Sequence, residues 1–137
     1  MKKTVRSLLI ARNICVAYKS TKSKFGYACL RNEELLSKTL KPYDKDLEAR
    51  RIELASVDKD KNLIINRDKE GRESYVFTVE ALKTINSFTE EKQSAELEYE
   101  GYIASSFEEI KNDIDIINAL NGIVINVDLE EYVSNNT

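Results

Sequence analysis

KFGYACLRNEELLSKTLKPYDKDLEARRIELASV, residues 24–57, decides the fold. Phe25, Cys29, Asn32, Leu36, Leu40, Tyr43, Leu47, Arg50, Leu54 and Val57 follow one another in steps of three and four almost throughout. That spacing puts them on one stripe of a helix running from about Lys24 to Val57, with Lys45, Glu48 and Arg51 on the solvated side. At the α-helical rise the segment would reach roughly 50 Å. Pro42 lies inside it, removes an internal hydrogen bond and should kink or split the helix near Thr39–Pro42, and because the stripe continues in phase a kink is expected over a reversal.

Working outward, residues 4–19 fit an amphipathic helix with Val5, Leu8, Leu9, Cys15 and Val16 near one face, a strand being the alternative that the β-branched content leaves open. After Asp58 the period changes. NLIIN (Asn62–Asn66) and SYVFT (Ser74–Thr78) flank a polar turn in which Gly71 supplies a positive-φ position, a β-hairpin pattern. Thr78 is placed to cap a returning helix, with Glu80 in its first turn and Val79, Leu82, Ile85 and Phe88 along its stripe. Leu47, Leu54 and Val57 are expected to meet Leu82, Ile85 and Phe88 in an antiparallel helix pair with the β-hairpin at its tip.

ELEYEGYI (Glu96–Ile103) alternates as a half-buried strand does. Ser106 and Glu109 form a capping-box pattern ahead of Phe107, Ile110, Ile114, Ile117 and Leu120, Asn121-Gly122 is a helix stop, and Ile123–Val127 has the pattern of a buried strand. Glu130–Thr137 is expected to fray. The fold class is therefore α+β and helix-dominated. A single domain, 1–137, would comprise a basic N-terminal helix (1–21), a long helical hairpin (22–95), a strand–helix–strand unit (96–128) and a tail (129–137).

The composition narrows the chemistry. The 137 residues include no His, which removes the commonest neutral-pH acid or base and His-ligated zinc. Cys15 and Cys29, the two cysteines, fall on apolar stripes and suit small core residues better than nucleophiles. Asp58-Lys59-Asp60-Lys61-Asn62 begins like a calcium loop, but Leu63 occupies the position that needs Gly and Lys69 the one that needs a bidentate carboxylate, so a polar turn is the reading. No cofactor or metal is expected, and the chain is not read as an enzyme.

Charge is strongly segregated. Residues 1–31 hold eight basic residues and no acid, whereas residues 80–137 hold three basic and thirteen acidic ones. Glu96, Glu98 and Glu100 on one side of the predicted strand are a candidate partner surface. Lys2, Lys3, Arg6, Arg12, Lys19, Lys22 and Lys24, near the aromatic rings of Phe25 and Tyr27, are candidate nucleic-acid contacts, a reading opposed by the acidic C-terminal half. The stripe of Phe25, Cys29, Leu36 and Leu40 extends beyond the reach of the shorter returning helix, and on that ground a homo-oligomer sealed at these residues is expected. Arg12 and Asn13 interrupt the first apolar stretch, and no run approaches the roughly 20 residues that cross a bilayer, so a cytoplasmic location without membrane contact is expected.

FGYACLRNEELL, KPYDKDLEARRIEL, DKDKNLIINRDKEGRESYVFT and the helix leading into ELEYEGYI together resemble small uncharacterised proteins of tailed bacteriophages and prophages, over about residues 22–103. In that group an aYaiaKN-type segment opens the long helix, and Arg31 stands here at the place of its lysine, beside Asn32. The resemblance implies a phage setting and carries no catalytic residues. The function expected is a non-catalytic protein–protein interaction protein, such as a virion component, assembly factor or adaptor. The alternatives are an inhibitor of a host enzyme such as a nuclease, acting through its acidic surface, and a nucleic-acid-binding accessory protein.

Overall fold

A computed structural model describes residues 1–136, with a chain order of β1 (Lys2–Thr4), α1 (Val5–Tyr18), α2 (Lys24–Thr39), α3 (Lys41–Leu54), β2 (Ile65–Arg67), β3 (Glu73–Tyr75), α4 (Val79–Gln93), β4 (Glu96–Glu98), α5 (Ile114–Leu120) and α6 (Leu129–Asn136). Helices dominate, with two small antiparallel sheets among the described residues. The chain forms two compact units, one of Met1–Leu40 with the chain from Ala95 onward, the other Lys41–Ser94. The boundary falls within Thr39–Pro42, where a kink or split of the long helix is expected. The Leu40 N–H closes α2 on the carbonyls of Leu36 and Lys38, and Pro42, which has no N–H to give, falls in the first turn of α3, where none is needed. The stripe is thus shared between two helices of different units, and the hairpin drawn over 22–95 gives way to a helix pair within each.

In the first unit Thr4 turns β1 directly into α1, its hydroxyl accepting from the Ser7 N–H at 3.1 Å. Residues 4–19 are thereby settled as a capped helix. Its inner face is Val5, Leu8, Ala11 and Cys15, while Val16 is half exposed. Ser23 caps α2 through the Gly26 N–H at 3.0 Å. Gly26 is required by space, since a Cβ there would stand 1.9 Å from the Thr21 carbonyl oxygen. The five-residue turn brings α2 back onto α1, with Tyr18 edge-on to Phe25.

β4 pairs antiparallel with β1, with Lys2 opposite Glu98, Lys3 opposite Leu97 and Thr4 opposite Glu96. The expected strand 96–103 is only partly realised. Past Tyr99, whose N–H still reaches the Met1 carbonyl, the backbone passes to Asn32. This asparagine is the one fully buried polar side chain among the described residues. Its Nδ2 donates to the carbonyls of Ala28 (2.8 Å) and Tyr102 (2.7 Å), and its Oδ1 accepts from the Tyr99 hydroxyl (2.7 Å) and the Tyr102 N–H (3.1 Å). Gly101 fits between them only because it lacks a side chain, since a Cβ would lie 1.9 Å from the Ile123 oxygen and 2.7 Å from Asn32 Oδ1.

The C-terminal segment departs furthest from the sequence reading. Ser106 does not open a helix. A short 3-10 turn, Glu108–Ile110, comes first, and Asp113 then caps α5 through the Ile116 N–H. Ile123–Ile125 are buried but form no strand. The Leu120 carbonyl collects the N–H groups of Ile123, Val124 and Ile125, Gly122 adopts φ +81°, and the Asn121 side chain exchanges two hydrogen bonds with the Val127 backbone, the role a neighbouring strand would play. The expected tail is helical in its described residues. Asp128 accepts from the Glu131 N–H at the start of α6, and Tyr132 packs on Phe107 and bonds the Lys111 carbonyl. Thr137 lies outside the described residues.

In the second unit α3 and α4 pack together, Gln93 at the end of α4 donating to the Tyr43 hydroxyl near the start of α3, and the Ser56 N–H reaching the Val76 carbonyl at the other end. The core is smaller than expected. Tyr43, Ala55, Ala81 and Ile85 are buried, whereas Val57 and Leu82 are about half exposed. Arg51 lies over the rings of both Tyr75 and Phe77, at 5.9 and 5.7 Å, and the Tyr75 hydroxyl bonds Glu48, which ties β3 to α3. Thr78 caps α4 through the Ala81 N–H as its position predicts.

A repeat that escaped the sequence reading emerges in this unit. Asp58–Asn62 and Asp68–Arg72 make the same turn. In each, the aspartate Oδ1 accepts from the N–H groups two and four residues on, and the fourth residue takes a positive φ, +65° at Lys61 and +79° at Gly71. Hydrogen bonds from the Arg72 backbone and then its side chain hold the Asp68 carboxyl below the usual range. The calcium-like DKDKN segment is thus a hairpin turn whose leading carboxylate is occupied by its own backbone.

Two stability predictions follow from these particulars. Asn32→Ala leaves the Tyr99 hydroxyl and the Tyr102 amide without acceptors inside the core and should cost about 3–5 kcal/mol in denaturant unfolding, a loss below about 1 kcal/mol contradicting the description. Lys61→Gly should relieve a left-handed lysine and gain about 0.5–1 kcal/mol, and Gly71→Ala, where a Cβ meets nothing within 4 Å, should lose a comparable amount through φ alone. Equal and opposite shifts in melting temperature would verify the shared geometry.

Candidate partner-binding groove

The residues first singled out for an interface are core. Phe25, Cys29, Leu36 and Leu40 have no exposed surface, so the stripe is not available to a second copy, and the argument for self-association through it lapses. Cys15 and Cys29 meet between α1 and α2, where the hydrogen bond to Cys29 and then burial push the Cys15 thiol far above its ordinary range, away from nucleophilic character.

The charged candidates, by contrast, are exposed or partly buried. Glu98 receives the N-terminal amine at 3.1 Å and stands opposite Lys2, Glu96 stands opposite Thr4, and Glu100 lies beyond the strand. Lys2 and the N-terminal amine thus meet Glu98 at the β1–β4 pair, while Glu96, Glu98 and Glu100 are all exposed. Lys3 donates to the Asn121 carbonyl and Lys19 pairs with Glu33 at 3.7 Å. Arg6 is exposed on α1 and Arg12 half buried, and both are engaged within the chain. Lys22 lies in the exposed turn before α2, and Lys24 lines a groove.

That groove, of about 540 Å³, lies in the first unit between the start of α2 (Ser23, Lys24 and Tyr27) and the segment Tyr102–Ser105. Two tyrosines line it, and Arg31, which is not part of the lining, contacts both of them. Tyr27 and Tyr102 meet edge to face with centroids 5.5 Å apart, yet remain 47% and 42% exposed. The Arg31 guanidinium sits 5.7 Å over the Tyr102 ring and donates to the Tyr27 hydroxyl at 3.2 Å. That hydrogen bond raises the pKa of the Arg31 guanidinium, a group that is cationic at any ordinary pH.

The groove wall is fixed from beneath. Both backbone groups of Tyr102 are held by Asn32, and the Ala104 N–H is held by the Val124 carbonyl at 2.7 Å. The exposed aromatic rings thus stand on a segment anchored in the core. Phe25, grouped with Tyr27 in the sequence reading, points into that core. Arg31, Tyr102 and Ile103 were missed. The i, i+4 spacing of Tyr27 and Arg31 was the signal on offer, and the alternation of ELEYEGYI puts Tyr102 on the glutamate side, the exposed side it occupies.

A second concavity of about 390 Å³, in the other unit, is lined by Glu48, Arg51, Ile65, Glu73, Ser74 and Tyr75. Its charged groups are occupied locally, Arg51 by aromatic rings, Glu48 by Tyr75 and Glu73 by Arg67. Among the described residues no group of three or more His, Cys, Asp or Glu side chains is placed to hold a metal ion, and no helix is long and apolar enough to cross a membrane. Compared with protein-family models, curated proteins and solved structures, the chain matches none.

Proposed function

We propose that this chain is a non-catalytic interaction protein and that the tyrosine–arginine groove of the first unit is where a protein partner docks. One observation carries the reading: Tyr27, Tyr102 and Arg31 are exposed together while the backbone beneath Tyr102 is fixed by a buried side chain. Tyrosine and arginine are the residues that concentrate binding energy at protein interfaces. Rings already ordered in the free state lose little conformational entropy on binding. The resemblance of residues 22–103 to proteins of tailed phages and prophages supports a place as virion component, assembly factor or adaptor, working in the host cytoplasm or the particle.

A photo-crosslinking amino acid in place of Tyr102 tests the proposal in cells that express the protein. A discrete crosslinked species is expected from position 102 and not from Glu109, an exposed position on the 3-10 turn of the same unit. Equal labelling from both positions, or none from 102, would contradict it.

A further inference from the structure

Building on the docking reading, we propose that the groove accepts an extended peptide segment, which pairs with the free backbone of Ile103 and brings a carboxylate to Lys24 and Arg31. The backbone pattern points there first. Tyr102 turns both its N–H and its C=O to Asn32, and Ala104 turns its N–H to the Val124 carbonyl. Ile103 lies between them, and neither its N–H nor its C=O takes part in a hydrogen bond among the described residues. Bonds at Tyr102 and Ala104 with none at Ile103 between them are the alternation that an extended chain shows along one edge, and the donor and acceptor of Ile103 are the unused pair. One residue offering both a donor and an acceptor on an open edge is the unit of antiparallel pairing. Strand addition to such an edge is a recurrent way of holding peptides.

Side chains around that edge define the occupant. Ile103, 44% exposed, and the rings of Tyr27 and Tyr102 give an apolar wall, and a volume of about 540 Å³ is enough for a few side chains but not a folded element. Lys24 makes no ion pair among the described residues, and Arg31 bonds only the Tyr27 hydroxyl, with Glu34 the acidic group in its field. Guanidinium groups favour carboxylates through paired, charge-assisted hydrogen bonds. An acidic side chain flanked by apolar ones is therefore the complementary sequence. A single-stranded nucleic acid would also find rings and cations here. However, the unit as a whole carries ten Lys and Arg against twelve Asp and Glu, which repels a polyanion far more than a peptide with one carboxylate.

The test is an NMR titration of the full chain with three probes. These are a capped heptapeptide of alternating threonine and valine with a central glutamate, its twin with a central lysine, and an eight-nucleotide oligo(dT). The glutamate peptide is expected to shift the Lys24, Tyr27 and Ile103 amides saturably, slow exchange of the Ile103 amide, and bind about ten-fold more tightly than the lysine twin. Arg31→Ala, a change on the exposed face of α2, should erase the difference between the twins. Ile103→Pro, which removes the donor, should abolish binding of both. No shift with either peptide, equal affinity for the twins, or tighter binding of oligo(dT) at these residues would overturn the inference. If crosslinking from position 102 succeeds while the peptides fail, only this assignment falls. If both fail, the docking reading falls with it.

Discussion

The buried amide of Asn32 is the constraint on which the first unit depends. It sits at the centre of an apolar helix face, where an unpaired amide would cost several kcal/mol, and it is tolerated because all four of its strong hydrogen-bonding positions are used. Two bonds go to the backbone of Tyr102, one to its own helix and one to the Tyr99 hydroxyl, so a single side chain attaches α2 to a segment about seventy residues further on. The fit requires Gly101, where any side chain would collide with the Ile123 carbonyl. Burial in turn pushes the Tyr99 phenol up, which keeps it a neutral donor. A hydrophobic residue at position 32 would fill the space but leave the Tyr102 backbone and the Tyr99 hydroxyl without these partners.

The same clamp explains why the surface above it is suited to recognition. A loop segment ordinarily loses rigidity where its side chains face water. Here the Tyr102 backbone is bonded from below while its ring lies beside Tyr27 and under Arg31, so order in the core is transmitted directly to the surface. The second unit is held differently. Its few buried apolar residues are supplemented by Arg51 on two aromatic rings and by two aspartate-led turns of identical hydrogen bonding. Local interactions of that kind define a shape without a large core.

Features fixed by local chemistry were legible in the sequence. Thr78 capping α4, the positive φ at Gly71, the helix beginning after Thr4 and the amphipathic course of α2 all depend on residues within a few positions of one another. The errors arose where a distant group competed with a local pattern. Alternation in ELEYEGYI predicted eight residues of strand, but Asn32 captures the backbone after Tyr99. The Ser106–Glu109 box lost to the Asp113 cap, and IVINV is wrapped around the Leu120 carbonyl and the Asn121 amide instead of joining a sheet. Of the groove, only Lys24 and Tyr27 were singled out in advance. Asn32 was placed on the correct face, but a period cannot reveal that a polar residue in a core stripe is the one making the long-range contacts.

The most direct test of the central claim is amide hydrogen exchange at two adjacent residues. The Tyr102 N–H is bonded to a buried acceptor and should exchange only with opening of the whole unit, whereas the unpartnered Ile103 N–H should exchange at close to the rate of an unstructured chain. Fast exchange at both positions would mean that Asn32 does not hold this segment, and the account of the groove above it would fail.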